Sequence, residues 1–192
     1  MSQTLVCLVI SLMLSSAAQA ETVAAFYSGK TINIIAGMSP PDQHDNDARL
    51  LARHMGKYIP GSPAVVVQNM PGAGGLKVVQ FMATVAPRDG TTFAISQRGT
   101  MMMPLLKYPE SNFDPRSFTW IGTRAGETSI VVLWHKASVN NIDDARSRET
   151  IVASTGGGAD SNTLPFIYNE TLGTRFKPVI GYSSGGDMNL AM

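Results

Sequence analysis

Short β-branched runs alternate with single amphipathic helical stretches, each joined to the next by a Gly- or Pro-rich loop, and this order limits the fold more than any other property of the chain. Residues 31–36 (TINIIA) read as a buried strand followed by a Gly, Pro and Asp cluster that marks a loop. From Asp45 the apolar residues Ala48, Leu51, Met55 and Tyr58 recur at three- and four-residue steps, a helical period that Pro60-Gly61 stops. Residues 64–68 (AVVVQ) give a second strand, 76–85 a second helix ending before a Pro-Arg-Asp-Gly turn, and 91–96 a third strand. Strands separated by single helices must pair in parallel, which predicts an α/β sheet with its functional loops at the strand C-terminal ends.

The pattern then restarts. Residues 104–115 are turn-rich, and 130–133, 151–153 and 178–180 repeat the strand signature with helical stretches between them. The expectation is a two-lobed α/β chain, with a first lobe over 21–122, a switch near 120–124 and a second lobe over 123–192. That second lobe is expected to be incomplete, because the segment reaching Met192 has only just turned helical and its apolar face has few partners.

Residues 1–20 read differently. The apolar run 5–14 (LVCLVISLML) is too short to span a bilayer, and Ala18-Gln19-Ala20 supplies the small residues a signal peptidase accepts, although no Lys or Arg precedes the run. A secretory signal peptide with Glu21 as the mature start, and hence a periplasmic location, is expected. The single cysteine, Cys7, lies within that run, so the mature chain would hold no disulfide and no Cys-ligated metal. Apolar residues continue past Cys7 to Leu14, which argues against a lipid anchor there.

With 15 Lys plus Arg against 14 Asp plus Glu, the charge balance gives no footprint for nucleic acid. The acidic stretch Asp42, His44, Asp45, Asp47 lacks the calcium-loop pattern and has one histidine, so it reads as the favoured acidic first turn of a helix, with Asp45 capping Asp47 or Ala48. His44, His54 and His135 share no metalloprotease spacing. Neither a metal nor another cofactor is expected.

Three loops could carry chemistry. Pro71-Gly72-Ala73-Gly74-Gly75 joins a strand to a helix, where glycines let the backbone approach a ligand and helix-start N–H groups attract an anion; a tight structural turn explains it equally well. It is neither a Walker loop nor a dinucleotide fingerprint. Thr155-Gly156-Gly157-Gly158-Ala159-Asp160-Ser161 repeats the arrangement in the second unit, with Ser161 or Asn162 able to cap the next helix. Gly181-Tyr182-Ser183-Ser184-Gly185 matches the G-x-S-x-G nucleophile elbow after a short strand. A hydrolase would need an acid and a His later in the chain, and no His follows Gly185. A truncated α/β-hydrolase using Ser183 therefore stands as an alternative to a non-enzymatic binder.

The segments GKTINIIAG, DNDARLLARHMGKYIPGSPAVVVQNMPGAGGLKVV, APRDGTTFAIS, FDPRSFTWIG and FKPVIGYSSGGDMNLAM resemble, in this order, the substrate-binding proteins of tripartite tricarboxylate transporters, the Bug family. The stretch from Gln68 to Gly74 and the Pro-Arg-Asp-Gly-Thr turn are its most specific parts. The resemblance implies two α/β lobes closing on a small carboxylate-bearing ligand, a periplasmic location, delivery to membrane permease subunits, and a chain longer than this one; a monomer is expected. A sensory ligand-binding module is a further reading. The expected ligand contacts are Ser39, Pro41, Asp42 and Asp45 after the first strand, Arg98 and Gly99 after the third, Thr155, Gly156, Gly158 and Ser161 in the second Gly-rich loop, and Tyr182 and Ser183. One departure concerns the site: where the family has a Gly-Gly pair before the residue matching Asp45, this chain has Pro41-Asp42-Gln43. Close backbone approach is thereby lost, and the Asp42 charge is expected to repel a carboxylate.

Overall fold

The computed structural model describes residues 21–123, 126 and 128–192. The expected signal peptide, with Cys7, lies outside the described residues.

Three parallel strands, β1 (Thr31–Ala36), β2 (Ala64–Asn69) and β3 (Thr92–Ile95), form the first sheet in the order β2-β1-β3. The central place of β1 explains its unbroken apolar run: a strand covered on both faces has no solvent side on which to alternate. Ile34 and Ala36 pack with Ala48 on one face, and Ile35 packs with Val78 and Val79 on the other. β2, at the edge, instead alternates exposed with half-buried positions. A short helix α1 (Val23–Tyr27), which the sequence did not suggest, precedes β1, and its Tyr27 hydroxyl donates to the Gly90 carbonyl at 3.0 Å.

Helix α2 (Gln43–Met55) supplies Ala48 and continues as a 3-10 turn through Tyr58, while α3 (Leu76–Thr84) supplies Val78 and Val79. α2 starts before Asp45 because Asp42 is its cap, accepting the His44 N–H at 2.9 Å. Asp45 therefore does not cap the helix as expected; it lies within the first turn and faces inward.

The second sheet pairs β4 (Thr150–Ser154) in parallel with β5 (Phe176–Ile180). Around it lie α4 (Ile142–Ser147), α5 (Asp160–Leu172) and α6 (Gly185–Ala191). Val139, Ala145 and Phe176 form its small core with Leu133, Val152 and Tyr168. The strand expected at 130–133 does not form. Ile130, Val131 and Val132 are exposed, and β-branched residues without a ladder to join have nothing to stabilise an extended pairing. The expected caps of α5 are also absent: Ala159 holds the cap position, the Ser161 hydroxyl accepts the Thr155 N–H at 3.4 Å, and Asn162 donates to the Gly157 carbonyl at 3.3 Å. Among the described residues no helix is long and apolar enough to cross a membrane.

Candidate functional site

The loop leaving β1 is fixed from behind by a closed set of polar contacts. The Asn69 side-chain amide, at the end of β2, donates to the Met38 carbonyl and to Asp45 Oδ1, both at 2.8 Å. Arg49 Nε donates to Asp45 Oδ2 at 2.9 Å, one helical turn away, and its Nη2 reaches Asn69 Oδ1 at 3.3 Å. Asp45 is only 2% exposed, and its hydrogen bond from Arg49 holds the carboxyl below the usual carboxylate range; burial opposes this and the Asn69 contact adds to it.

Asp42 stands at the opposite end of the same loop. Its Oδ1 accepts the His44 N–H and lies 2.8 Å from His44 Nδ1, and its Oδ2 accepts the N–H of Gly185 at 3.3 Å. Burial raises the pKa of this carboxyl, but the two His44 contacts and the Gly185 N–H outweigh it, and the group sits below its ordinary value. The charge expected to repel a ligand is thus already engaged by protein donors.

The two Gly-rich loops meet each other. The Gly158 N–H donates to the Ala73 carbonyl at 3.3 Å, and the fully buried Thr100 hydroxyl lies 3.1 Å from the Gly74 carbonyl and 3.3 Å from that of Gly158. A Cβ on Gly74 would stand 2.7 Å from the Ala159 nitrogen, and one on Gly156 would stand 2.4 Å from the Gly74 nitrogen, so glycine is required for this approach. Gly74 also has φ of 65°, the left-handed region. Beside this seam Arg98 Nε donates to Asp160 Oδ2 at 2.6 Å, across the two units. Gly156 and Gly158, expected to offer backbone donors to a ligand, are buried in the seam; the Gly156 N–H goes to Ser154 Oγ and that of Gly158 to Ala73.

Between the seam and the Asp42–Gly185 contact lies a cavity of about 270 Å³, lined by Met38, Ser39, Pro71, Gly72, Gly74, Thr155, Tyr182 and Ser183. None of these side chains is charged, and Ser39, Thr155, Tyr182 and Ser183 are hydroxyl-bearing residues. Thr155 Oγ1 is buried and has no partner in the protein.

Of the residues expected to contact a ligand, the structure brings Ser39, Thr155, Tyr182 and Ser183 to the cavity wall. Pro41 and Asp42 sit against the start of α6, where the Pro41 carbonyl would lie 3.2 Å from a Cβ on Gly186. Asp45 lies behind the wall, Ser161 is bonded to Thr155 and Ser154, and Arg98 and Gly99 belong to the contact between the units. Met38 was not singled out in the sequence; only its place just beyond β1 signals it. Asp42, His44, Asp45 and Asp47 do not converge, and among the described residues no group of three or more His, Cys, Asp or Glu is placed to hold a metal ion.

No protein-family model matches the chain. A curated protein of Cupriavidus necator, described as a UPF0065 protein in the gbd 5' region, is 33% identical over 103 residues, covering 52% of this chain and 29% of that protein. The periplasmic binding protein BugD superposes with a TM-score of 0.59 at 20% identity, over 83% of this chain and 54% of its own. An R. palustris structure with adipate gives 0.62 at 18% identity, over 84% of this chain and 55% of that one. The chain thus spans about half the length of these solved structures and under a third of the curated relative. The fold is that of two-lobed periplasmic binding proteins, of which the chain spans about half, and over 103 residues its sequence is similar to the UPF0065 protein.

Proposed function

We propose that the chain is the ligand-capturing part of an extracytoplasmic solute-binding protein that takes up a small carboxylate-bearing molecule for membrane permease subunits. The observation that carries the reading is the cavity between the two units, small, uncharged and rich in hydroxyls, with Thr155 Oγ1 left without a protein partner. A buried hydroxyl in that condition is costly unless a ligand or water completes it. A compact oxyanion accepts hydrogen bonds from hydroxyls in a partly desolvated site, where such bonds are strong. The R. palustris relative in fold carries adipate, a dicarboxylate, which supports the ligand class, and the expected signal peptide supports a periplasmic location.

Thermal-shift screening with adipate, succinate, citrate and lactate tests this. A bound carboxylate at a hundred times its dissociation constant is expected to add about 2.7 kcal/mol of stability. Stabilisation by sugars or cations, with none by any carboxylate, would overturn the ligand class.

A further inference from the structure

The units meet on opposite sides of the cavity, and the two meeting places differ in kind. The seam brings main chain against main chain at Gly74 and Gly156, joined by the buried Thr100 hydroxyl and flanked by the Arg98–Asp160 ion pair. On the other side the Asp42 carboxylate, 9% exposed and part of the β1–α2 loop, accepts an N–H from the first turn of α6, next to Pro41 packed on Gly186. We propose that Asp42 is a built-in closing tether: its carboxylate draws the 182–185 loop onto the β1 loop and holds the cavity shut at the side away from the seam, whether or not a solute is present.

Several features fit a tether better than a chance surface contact. Asp42 Oδ1 is committed to its own helix start through the His44 N–H and ring, so the carboxylate plane is fixed before Oδ2 reaches across. The acceptor is ionised, and charge-assisted hydrogen bonds are about twice as strong as neutral ones. The Gly185 nitrogen is also available, because the helix cap at Ser184 Oγ serves Asp187 instead, at 3.1 Å. Tyr182 and Ser183, which form the far wall of the cavity, immediately precede this contact and move with it. The closed arrangement therefore has an internal source of stabilisation, and a solute does not have to supply all of it.

Two substitutions break the contact from opposite ends. Asp42→Ser keeps a good helix cap but is too short to reach Gly185. Gly185→Pro removes the N–H at the first helical position, where proline is well accepted; Ser184, at φ −157° and ψ 167°, already has the extended backbone that a following proline favours. A Cβ at Gly185 meets only Asp42 Oδ2, at 3.8 Å.

Spin labels at His54→Cys on α2 and Glu170→Cys on α5, both exposed positions, in a chain carrying Cys7→Ser, report the separation of the units by pulsed electron resonance. Without added solute the parent is expected to give a single narrow distance. Each variant is expected to add a longer-distance population, with the open-to-closed ratio rising roughly tenfold, the factor carried by one hydrogen bond to a charged group. Amide exchange through α2 is read alongside to show that Asp42→Ser leaves the helix folded; if it does not, Gly185→Pro decides alone. Unchanged distances in both variants, or a change in Asp42→Ser with none in Gly185→Pro, would overturn the tether.

Discussion

The Asn69 amide donates at once to the Asp45 carboxylate and to the Met38 carbonyl, each at 2.8 Å, so the end of β2 fixes both the helix start and the cavity wall that leave β1. This contact ties a buried charge to the position of a lining residue. Loss of either partner is felt in both stability and shape.

Asp45→Ala should lower stability by about 2–3 kcal/mol. Removing one partner of a buried ion pair costs about 3–5 kcal/mol, but Arg49 is half exposed and regains water when left alone. Urea unfolding would show a lower midpoint with an unchanged slope. A cost below about 0.5 kcal/mol would mean that the network is ornamental.

Acid should destabilise the protein through the same residues. Asp42 and Asp45 both have folded-state pKa values below the ordinary 3.8, so the unfolded chain takes up protons first as pH falls. Their contribution is complete above that value and is lost as pH drops through the lower folded-state values. Urea midpoints measured from pH 7 to pH 2 should fall at the acid end, and Asp45→Asn should flatten part of that fall.

Thr155→Val should separate binding from folding. The hydroxyl has no protein partner, so replacing it with a methyl of the same shape leaves stability nearly unchanged or slightly higher. Affinity for a stabilising carboxylate should drop by roughly tenfold, the worth of one hydrogen bond. Calorimetric titration of both proteins checks the pair of expectations.

Ser183→Ala should alter affinity modestly and ester turnover not at all. Residues 181–185 do connect a strand to a helix, as a nucleophile elbow requires, yet Ser183 lies on the cavity wall and the adjacent Ser184 is the buried cap of α6. Hydrolysis of p-nitrophenyl acetate that the substitution abolishes would favour the hydrolase reading instead.

Much of the first sheet was legible because its signals are local. The run TINIIA, the helical recurrence from Ala48 and the Pro60-Gly61 stop each sit within one element and lead directly to β1, α2 and the turn beyond. The strand expected at 130–133 failed for the opposite reason: β-propensity is visible in the sequence, but the presence of a neighbouring ladder is not. The site was legible as loops rather than as contacts. Gly156 and Gly158 have the composition of an anion-binding turn, and only the three-dimensional structure shows that their amides serve the protein, that of Gly156 through Ser154 Oγ and that of Gly158 through the Ala73 carbonyl. Asp42 and Asp45 are both acids at one helix start, and their roles part according to what lies opposite: Gly185 for one, Arg49 and Asn69 for the other.

The seam at Gly74 and Gly156 also has a mechanical meaning. Where main chain meets main chain there are no rotamers to adjust, so a side chain added at Gly74 or Gly156 has no room made for it by small shifts. A substitution at either glycine would therefore push the two units apart at the seam and not be absorbed locally.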